Sequence, residues 1–383
     1  MIPGLGDDLL AVFAEAFALA AVVGVAFLVL NIVALVRRPR SWPKTLPTEP
    51  VTVLVPLCGD EEGLRDRLAA LCAQTYAGPI QLIFGACSPT DPAVAVVTRL
   101  ASDFPDACID LVIDDRSHGS NRKVSNLVNM LERARHDALV FVDSDIVVGP
   151  NHLTGVVSEL RRPGTGAVTC LYYGVAGAGQ WAAISSMNIN VNFLPSVILG
   201  LWLRMAEPCF GATIAISRQL LDRVGGMRVF GGCLHDDHAI GAAVRAQGLR
   251  VTISSLVVGH VCLERSSREL LDTQLRRART IRMINPIGYA GSFVTYPSAL
   301  ALVAIVLGDL QGLPILVVAA SLRLVQCLSI ERAFKLPRHR YFDLLARDVL
   351  SFGVYLTAFF GREVVWRGSR YRTSRRGTLL ADS

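Results

Sequence analysis

Apolar residues are concentrated in two blocks, which flank a stretch of mixed composition. The first block covers residues 9–36, the second begins after Tyr289, and roughly 240 residues of ordinary composition lie between them. Residues 9–36 are long enough to cross the ~30 Å hydrocarbon core of a bilayer as a helix. The pattern therefore predicts a membrane anchor over 1–40, a globular domain over 41–285, membrane segments over 286–361 and a tail over 362–383.

Within the globular stretch, short apolar runs alternate with helical patterns. Strands are indicated near the start of 50–64 and 80–94 and over 108–114 and 137–145, and a helix over 121–135. Such alternation predicts an α/β fold with a mainly parallel, Rossmann-like sheet covered by helices on both faces. Ligands of these folds bind at the carboxyl ends of the strands. Three aspartates lie there: Asp91, Asp143 and Asp145.

The second apolar block contains two candidate crossings. Residues 289–307 and 313–330 are each long enough, and Arg323 in the second must face protein or the interface. Residues 349–361 suggest a re-entrant or interfacial segment, with a full crossing over 342–360 as the alternative. A re-entrant or interfacial segment at 349–361 would place the tail on the same side of the membrane as the globular domain. Residues 192–205 are apolar but short and contain a proline, which favours the membrane surface.

The charges indicate which side of the membrane each segment faces. The start "MIPGLGDD" is acidic and "RRPRSWPK" follows the first apolar run, which favours an anchor with its basic side in the cytoplasm over a signal peptide. The net charge is +6, and basic clusters lie beside apolar segments at 37–44, 331–340 and 362–376. Attraction to anionic lipid headgroups explains this placement, so nucleic acid is not an expected partner.

Other common functional patterns are missing from the sequence. The nine cysteines form no CxxC pair, which favours small core residues in a reducing compartment over a zinc or nucleophilic site. Neither GxGxxG nor GxxxxGK[ST] occurs, so an ordinary dinucleotide-binding dehydrogenase and a P-loop NTPase are both disfavoured.

The aspartate pair in "FVDSDIVV" carries the first chemical hypothesis. Both aspartates end the strand predicted over 137–145, so Asp143 and Asp145 should point the same way and repel each other unless a divalent cation lies between or beside them. Carboxylate oxygens suit Mg²⁺ or Mn²⁺, which completes its shell with substrate phosphates and water. An Asp-x-Asp triplet taken alone is equally compatible with a solvated loop.

A second acidic cluster occurs in "CLHDDHAI". Asp236 and Asp237 precede a helical run, where an aspartate can simply cap free backbone N–H groups. Two adjacent carboxylates exceed what a cap needs, and one could act as general base toward an acceptor hydroxyl. The flanking His235 and His238 could instead ligate a metal.

A third cluster, "DTQLRRARTIR", places four arginines on a probable helix. They are Arg276, Arg277, Arg279 and Arg282. They could clamp a leaving diphosphate and stabilise its developing charge, or they could form a basic helix facing the membrane.

Taken together, these clusters resemble the motifs of ceramide glucosyltransferases and their bacterial relatives, which are family 2/21 glycosyltransferases with the GT-A fold. The matching positions are Asp91 in "SPTDPAV", Asp143 in "VDSD", Asp237 in the Asp-Asp pair, and Gln274 and Arg277 in "QLRRA". "NRKVSNL" is similar to the NPKxNNL stretch of the family and places Lys123 near the donor. The resemblance covers residues 50–285 and both apolar blocks.

The resemblance implies a role for each matching residue. Asp91 would bind the uracil or ribose of a UDP-sugar, Asp143 the ribose–diphosphate, and Asp145, with Asp143, the Mg²⁺ or Mn²⁺ ion. Asp237, with Asp236 as the neighbouring candidate, would deprotonate the acceptor for direct, inverting displacement. Gln274 and Arg277 would hold the departing diphosphate. The family has tryptophan where this chain has Ala278, which implies a difference in acceptor or activity.

The acceptor implied by the resemblance and the apolar blocks is a membrane lipid. Ceramide receiving glucose comes first, and a hopanoid polyol receiving N-acetylglucosamine is the alternative. A processive polysaccharide synthase and a non-catalytic homologue are the rivals from other classes. The expected setting is the inner membrane of a bacterium, with the catalytic domain facing the cytoplasm.

Overall fold

A computed structural model describes residues 5–38, 46–59, 61–361, 363–366, 369–373 and 379–381. The chain forms two compact units. The helical unit consists of Met1–Arg38, Ala178–Ala206 and Glu264–Arg370, and the sheet unit of Pro39–Gly177, Glu207–Leu263 and Tyr371–Ser383. Residues 178–206 and 264–285, which the sequence analysis assigned to the globular domain, thus belong to the helical unit.

The helices and strands follow one another in this order. The helices are α1 (Leu5–Val36), α2 (Leu64–Cys72), α3 (Pro92–Asp103), α4 (Arg122–Leu131), α5 (His152–Leu160), α6 (Gln180–Asn188), α7 (Leu194–Trp202), α8 (Arg218–Arg223), α9 (Asp236–Ala246), α10 (Ser267–Ile284), α11 (Pro286–Gly291), α12 (Pro297–Val306), α13 (Gly312–Phe334) and α14 (Asp343–Thr357). The strands are β1 (Val51–Pro56), β2 (Ile80–Ala86), β3 (Cys108–Ile113), β4 (Ala138–Val142), β5 (Ile146–Val147), β6 (Thr165–Ala176), β7 (Thr213–Ser217), β8 (Arg250–Cys262), β9 (Glu363–Trp366), β10 (Ser369–Thr373) and β11 (Leu379–Ala381). A π-helical segment (Ile189–Phe193) and two 3₁₀ turns (Met227–Phe230, Ser292–Thr295) complete the set for the described residues.

The sheet unit is built on one mixed sheet with the strand order β3-β2-β1-β4-β7-β6-β8-β5. The half formed by β3, β2, β1 and β4 is parallel, as the alternating pattern predicts. In the other half, β7 runs antiparallel to both β4 and β6, and β6 pairs in parallel with β8. The predicted α/β class is confirmed, whereas β7 and β8 were not foreseen.

Helices cover both faces of this sheet, as expected. All six residues of β1 are buried, and they alternate between two cores. Val51, Val53 and Val55 pack with α2, α3 and α5 on one face. Leu54 packs on the other face with residues of α4, α8 and α9. Burial on both faces is what a continuous apolar strand indicates.

The helical unit is organised around α1, which packs against α12 and α13. The buried face of α1 includes Ala14, Ala18 and Ala21, whose small side chains let neighbouring backbones approach closely. At Gly24 the approach is closest, since a Cβ there would lie 2.4 Å from the carbonyl oxygen of Val294. The predicted anchor is therefore a helix with one face packed against protein.

Within the described part of the chain, three helical stretches are long and apolar enough to cross a membrane: Asp8–Val36, Gln180–Trp202 and Gly312–Phe334. The first and third agree with the predicted anchor and the crossing at 313–330. The second overturns the expectation that residues 192–205 are too short to span. The helix begins earlier, at Gln180, and continues past Pro195 because the π-helical segment accommodates the missing N–H of the proline.

The predicted crossing over 289–307 is not a single continuous helix. Pro286–Thr295 and Pro297–Val306 meet at a bend of 68°, so this stretch is a broken span or a re-entrant loop. The break falls at Tyr296, because Pro297 cannot continue the helical hydrogen bonds and instead begins α12. Helix α14 has 15 residues and rises about 22 Å, which is short of the ~30 Å hydrocarbon core.

A buried ionic network lies inside the helical unit. Arg323 of α13, only 3% exposed, pairs through Nε with Asp348 Oδ2 of α14 at 3.1 Å. Its other nitrogens donate to the carbonyl oxygens of Val191 (3.1 Å), in the π-helical segment, and Thr295 (3.0 Å), beside the bend. Arg347 also pairs with Asp348. Arg323 thus faces protein, one of the two placements that the sequence allowed.

Two expectations about cysteines and basic clusters are only partly met. The nine cysteines all lie among the described residues and form no disulfides, and Cys170, Cys209, Cys262 and Cys327 are buried. Cys58, Cys87 and Cys108 are exposed, because they lie in loops after strands or at the start of an edge strand, which the apolar context of the sequence did not reveal. Much of the basic clusters at 37–44 and 362–376, and of the tail at 362–383, lies outside the described residues.

Candidate active site

The aspartate pair lies in a turn directly after β4, at the carboxyl end of the parallel strands. Strand β4 ends at Val142, and the Ile146 N–H donates to the Asp143 carbonyl at 3.2 Å, which closes the turn. The prediction that a strand aligns the two side chains is therefore wrong. Because the backbone turns between them, Asp143 and Asp145 face different partners.

Asp143 pairs with Lys123, the lysine that the sequence places near a donor. The Lys123 Nζ lies 2.6 Å from Asp143 Oδ1 and 3.7 Å from Asp236 Oδ2. Burial disfavours the ammonium charge, but the carboxylates of Asp143 and Asp236 outweigh it and raise the pKa of Lys123. Burial, opposed by Lys123, raises the pKa of Asp143. Lys123 therefore remains charged between two carboxylates.

Asn121, which the sequence analysis did not single out, fixes the start of the lysine helix. Its side-chain oxygen accepts the Val124 N–H at 3.1 Å and caps α4. Its Nδ2 donates to the Cys233 carbonyl at 2.8 Å and reaches Asp236 Oδ1 at 3.3 Å. Asp236, which is buried, is thereby engaged from two sides by groups of the lysine helix.

Asp237 is the more accessible carboxylate of the second pair. The N-cap of α9 is His235, so neither aspartate occupies the cap position. Asp237 Oδ2 accepts the Gly211 N–H at 3.0 Å and Oδ1 the His238 N–H at 2.7 Å. Burial, followed by the charge of Asp236, raises the pKa of Asp237 to about 6. Such a pKa suits a general base near neutral pH.

Gly211 marks the point where these side chains converge. A Cβ built on Gly211 would lie 3.1 Å from Lys123 Nζ, 3.2 Å from Asp143 Oδ2 and 3.6 Å from Asp237 Oδ2. The sheet unit thus brings the lysine, the first aspartate of the triplet and the candidate base into one space, which only a glycine leaves open.

Asp145 faces His260, a residue that the sequence analysis missed. The His260 Nδ1 lies 3.5 Å from Asp145 Oδ1, and the Val261 N–H donates to the Asp145 carbonyl at 2.8 Å. A carboxylate beside an imidazole is a donor set that fits a divalent cation such as Mn²⁺. The signal that could have located His260 is the strand-like run "VTISSLVVGHVC". This run forms most of β8, and His260 lies two residues before the end of that strand.

Asp91 lies at the carboxyl end of β2, as predicted, and has a local structural task. Its Oδ1 accepts the Ala93 N–H at 2.9 Å and caps α3. Both its oxygens also accept the Gly59 N–H, at 2.9 and 3.2 Å. Asp91 therefore ties the loop after β1 to the start of α3.

Gln274 and Arg277 lie on α10 of the helical unit. Gln274 is buried, and its Nε2 has no hydrogen-bond partner among the described residues. Ala278, at the family tryptophan position, packs against an aromatic cluster that includes Tyr289, Phe352 and Tyr355.

Two of the four arginines in this helix do not fit the predicted diphosphate clamp. Arg282 donates to the carbonyl oxygens of Phe359 (2.9 Å) and Gly361 (3.1 Å), and Arg279 to those of Phe360 (3.0 Å) and Glu363. Carbonyls after the last helix lack helical partners, so cationic side chains satisfy them. This role could not be read from a run of arginines alone.

The chain is similar in sequence to curated glycosyltransferases. Ceramide glucosyltransferase 1 from Caenorhabditis elegans is 25% identical over 223 residues, which is 58% of this chain and 47% of that protein. An N-acetylglucosaminyltransferase from Azorhizobium caulinodans is 31% identical over 127 residues, or 32% of this chain and 30% of that protein. The matched region thus spans about half or less of these curated relatives.

One solved structure has the same fold. The mannosyltransferase PcManGT from Pyrobaculum calidifontis, in complex with GDP-Man and Mn²⁺, matches with a TM-score of 0.52 and 18% identity over 92% of this chain and 99% of its own. The predicted GT-A fold is thereby confirmed. The model of glycosyl transferase family 21 matches residues 16–379. The chain with this lysine–aspartate site therefore belongs to glycosyl transferase family 21.

Proposed function

We propose that this glycosyltransferase moves a sugar from a UDP-sugar to a hydroxyl group of a ceramide-like membrane lipid, with inversion at the anomeric carbon. Family membership supports hexosyl transfer. The ceramide glucosyltransferase relative supports the lipid acceptor and the glucose donor. The single observation that carries the proposal is the convergence of Lys123, Asp143 and Asp237 around Gly211.

The chemistry requires a base for the acceptor and positive charge for the leaving group. Asp237 would take the proton of the acceptor hydroxyl while the oxygen attacks the anomeric carbon. The bond from that carbon to the diphosphate breaks, and its electron pair leaves with UDP. Lys123, held charged by Asp143 and Asp236, would stand near the diphosphate. Asp236 would serve mainly to hold Lys123, because Asp236 is buried and Asp237 is more accessible.

We further propose a divalent cation, Mg²⁺ or Mn²⁺, at Asp145 and His260, with Asp143 contributing through Oδ2 toward the ribose–diphosphate. A bound cation neutralises charge that accumulates on the diphosphate. The facing carboxylate and imidazole, 3.5 Å apart, support the site. The Mn²⁺ present with PcManGT is consistent with it.

The remaining donor contacts are assigned by motif. Gln274 and Arg277 would hold the diphosphate, and Asp91 the uridine end. The buried, unpartnered Nε2 of Gln274 supports a ligand-binding role, because a buried amide rarely lacks a hydrogen-bond partner. For Asp91, the support is its place at the carboxyl end of β2 beside the loop after β1.

The setting we propose is a bacterial inner membrane with the sheet unit in the cytoplasm and the tail on the same side. Support comes from helices long and apolar enough to span, such as Asp8–Val36 and Gly312–Phe334. The basic residues that follow the first of them favour the cytoplasm for that end.

A second candidate is transfer of N-acetylglucosamine to a hopanoid polyol. The match to an N-acetylglucosaminyltransferase favours that sugar. The two candidates share the site and differ in the donor sugar and in the lipid hydroxyl that must reach Asp237.

Lipid mass spectrometry after expression in a bacterial host supplied with ceramide or making hopanoids tests the proposal. We expect a new lipid heavier by one hexose in the first host, absent from a host that expresses D237N at equal level. A lipid heavier by one N-acetylhexosamine identifies the second candidate. Long polymer, or no UDP release from any sugar donor, refutes single-sugar lipid transfer.

A further inference from the structure

We infer that Arg67 of α2 is a positioning residue that sets the turn between Asp143 and Asp145, and through it the affinity for the divalent cation. Arg67 belongs to no motif that the sequence analysis identified. The inference rests on the proposed function for the identity of the ligand, but its geometry is independent of that function.

Arg67 contacts the turn, and each of its three guanidinium nitrogens has a partner. Its Nε donates to the carbonyl oxygen of Ser144, the middle residue of the triplet, at 2.7 Å. Its Nη1 donates to the Glu62 carbonyl at 2.6 Å, and Nη2 pairs with Glu61 Oε2 at 3.3 Å. The side chain is 5% exposed. A buried guanidinium is stable only with such full pairing.

The three carbonyls of the triplet then have separate donors. The Asp143 carbonyl accepts the Ile146 N–H, and the Asp145 carbonyl accepts the Val261 N–H. The Ser144 carbonyl accepts from Arg67. Because the peptide group is planar, fixing this oxygen fixes the plane that leads into Asp145. Arg67 therefore determines where the carboxylate of Asp145 stands relative to His260.

Two further features indicate that this contact is built into the loop after β1. Gly63, with φ +73°, lies under the guanidinium, and a Cβ there would come within 3.3 Å of Nη1. Ser144, which is buried, directs its hydroxyl toward Glu61 at 3.4 Å. The carboxylate of Glu61 thus contacts both Arg67 and Ser144.

The chain offers a matched control two residues earlier on the same helix. Arg65 is half exposed and pairs with Asp103 at the surface, at 2.6 Å. Substituting Arg65 removes the same charge from the same helix without touching the turn.

Mn²⁺ binding to the full-length, detergent-purified protein, followed by electron paramagnetic resonance, tests the inference. We expect R67M to raise the Mn²⁺ dissociation constant at least ~10-fold, the usual effect of losing an outer partner of a metal ligand. R65M should bind as the wild type does. R67K, which keeps charge but not the forked geometry, should fall between them.

Activity under the same conditions separates positioning from general damage. Saturating Mn²⁺ should restore most of the turnover of R67M, which a disrupted fold would not allow. Should R67M fail to fold, as judged by thermal unfolding in EDTA, R67K and E61Q carry the test, and both must weaken Mn²⁺ binding relative to R65M.

Two results overturn the inference and are distinguishable. Wild-type protein that binds no Mn²⁺ refutes the proposed cation site, and the inference falls with it. Wild-type protein that binds Mn²⁺, with Arg67 variants indistinguishable from R65M, refutes the role of Arg67 and leaves the proposed function intact.

Discussion

The pKa of Asp237 predicts the acid limb of the pH–rate profile. Burial and the neighbouring Asp236 raise this pKa to about 6. A general base acts only when ionised, so the rate should rise with pH through this value and level off above it. With a pKa of about 6, the ionised fraction of Asp237 is about 0.9 at pH 7 and about 0.09 at pH 5, so kcat/KM should fall about tenfold between them.

An aspartate with an ordinary pKa predicts a different curve. At a pKa of about 3.9 the carboxylate is still more than ~90% ionised at pH 5, and the rate would hardly change. The two cases therefore differ several-fold at a pH where many proteins remain folded.

Substitutions at the pair identify the titrating group. D237N should reduce transfer by at least ~10²-fold and remove the acid limb. D236N removes the neighbouring negative charge, which is the second cause of the raised pKa of Asp237. The acid limb of the pH–rate profile measured for D236N should therefore move to lower pH. The same variant also takes one of two carboxylates from Lys123, so a lower plateau is expected as well.

Release of UDP from purified protein in detergent, measured from pH 5 to 8 at saturating divalent cation, provides the profile. Thermal unfolding at each pH excludes loss of the folded protein. A profile that stays flat down to pH 5 refutes the raised pKa of Asp237. A D237N protein that keeps a near-normal rate while D236N loses activity refutes Asp237 as the general base.

Three further predictions concern the cation, the glycine at the site and the buried network. EDTA should abolish turnover and added Mg²⁺ or Mn²⁺ restore it, and full activity in excess EDTA contradicts the cation site. Gly211→Ala should leave the unfolding temperature nearly unchanged but lower kcat, because its methyl group meets three active-site side chains. Gly149→Ala is the control and should match the wild type, because the space around Gly149 is open. Equal rates for the two variants would disprove crowding at Gly211. Arg323→Met should lower the free energy of unfolding by ~1.5–3 kcal/mol, because Asp348 loses one of its two arginine partners and keeps Arg347. An unchanged unfolding temperature in detergent would show that the pair is dispensable.

The parallel half of the fold was readable from the sequence because each strand there is a short, largely apolar run, and helical patterns separate these runs. The same rule located Asp91, Asp143 and Asp145 at one edge of the sheet. Strands β7 and β8 were not predicted because they pair in a mixed, non-sequential order, which the local pattern of apolar residues does not encode. His260 was missed with its strand.

Other features depend on contacts between residues far apart in sequence. Arg67 and Ser144 are 77 positions apart in sequence, and nothing near Arg67 in sequence reveals the turn that it contacts. Likewise, a proline usually ends or kinks a helix, but at Pro195 a preceding π-helical segment lets the helix continue. A run of arginines shows charge but not partners, so Arg279 and Arg282 could not be told from a phosphate clamp.

The network around Arg323 has a consequence for how the helical unit is assembled in a membrane. An isolated arginine at the centre of a spanning helix costs ~2.5–3.5 kcal/mol on insertion. Two of its acceptors, the carbonyls of Val191 and Thr295, precede it along the chain, but the carboxylate of Asp348 is synthesised 25 residues later. If α13 crosses the bilayer as proposed, it would insert with the charge of Arg323 only partly compensated, until the short α14 that follows supplies the carboxylate of Asp348.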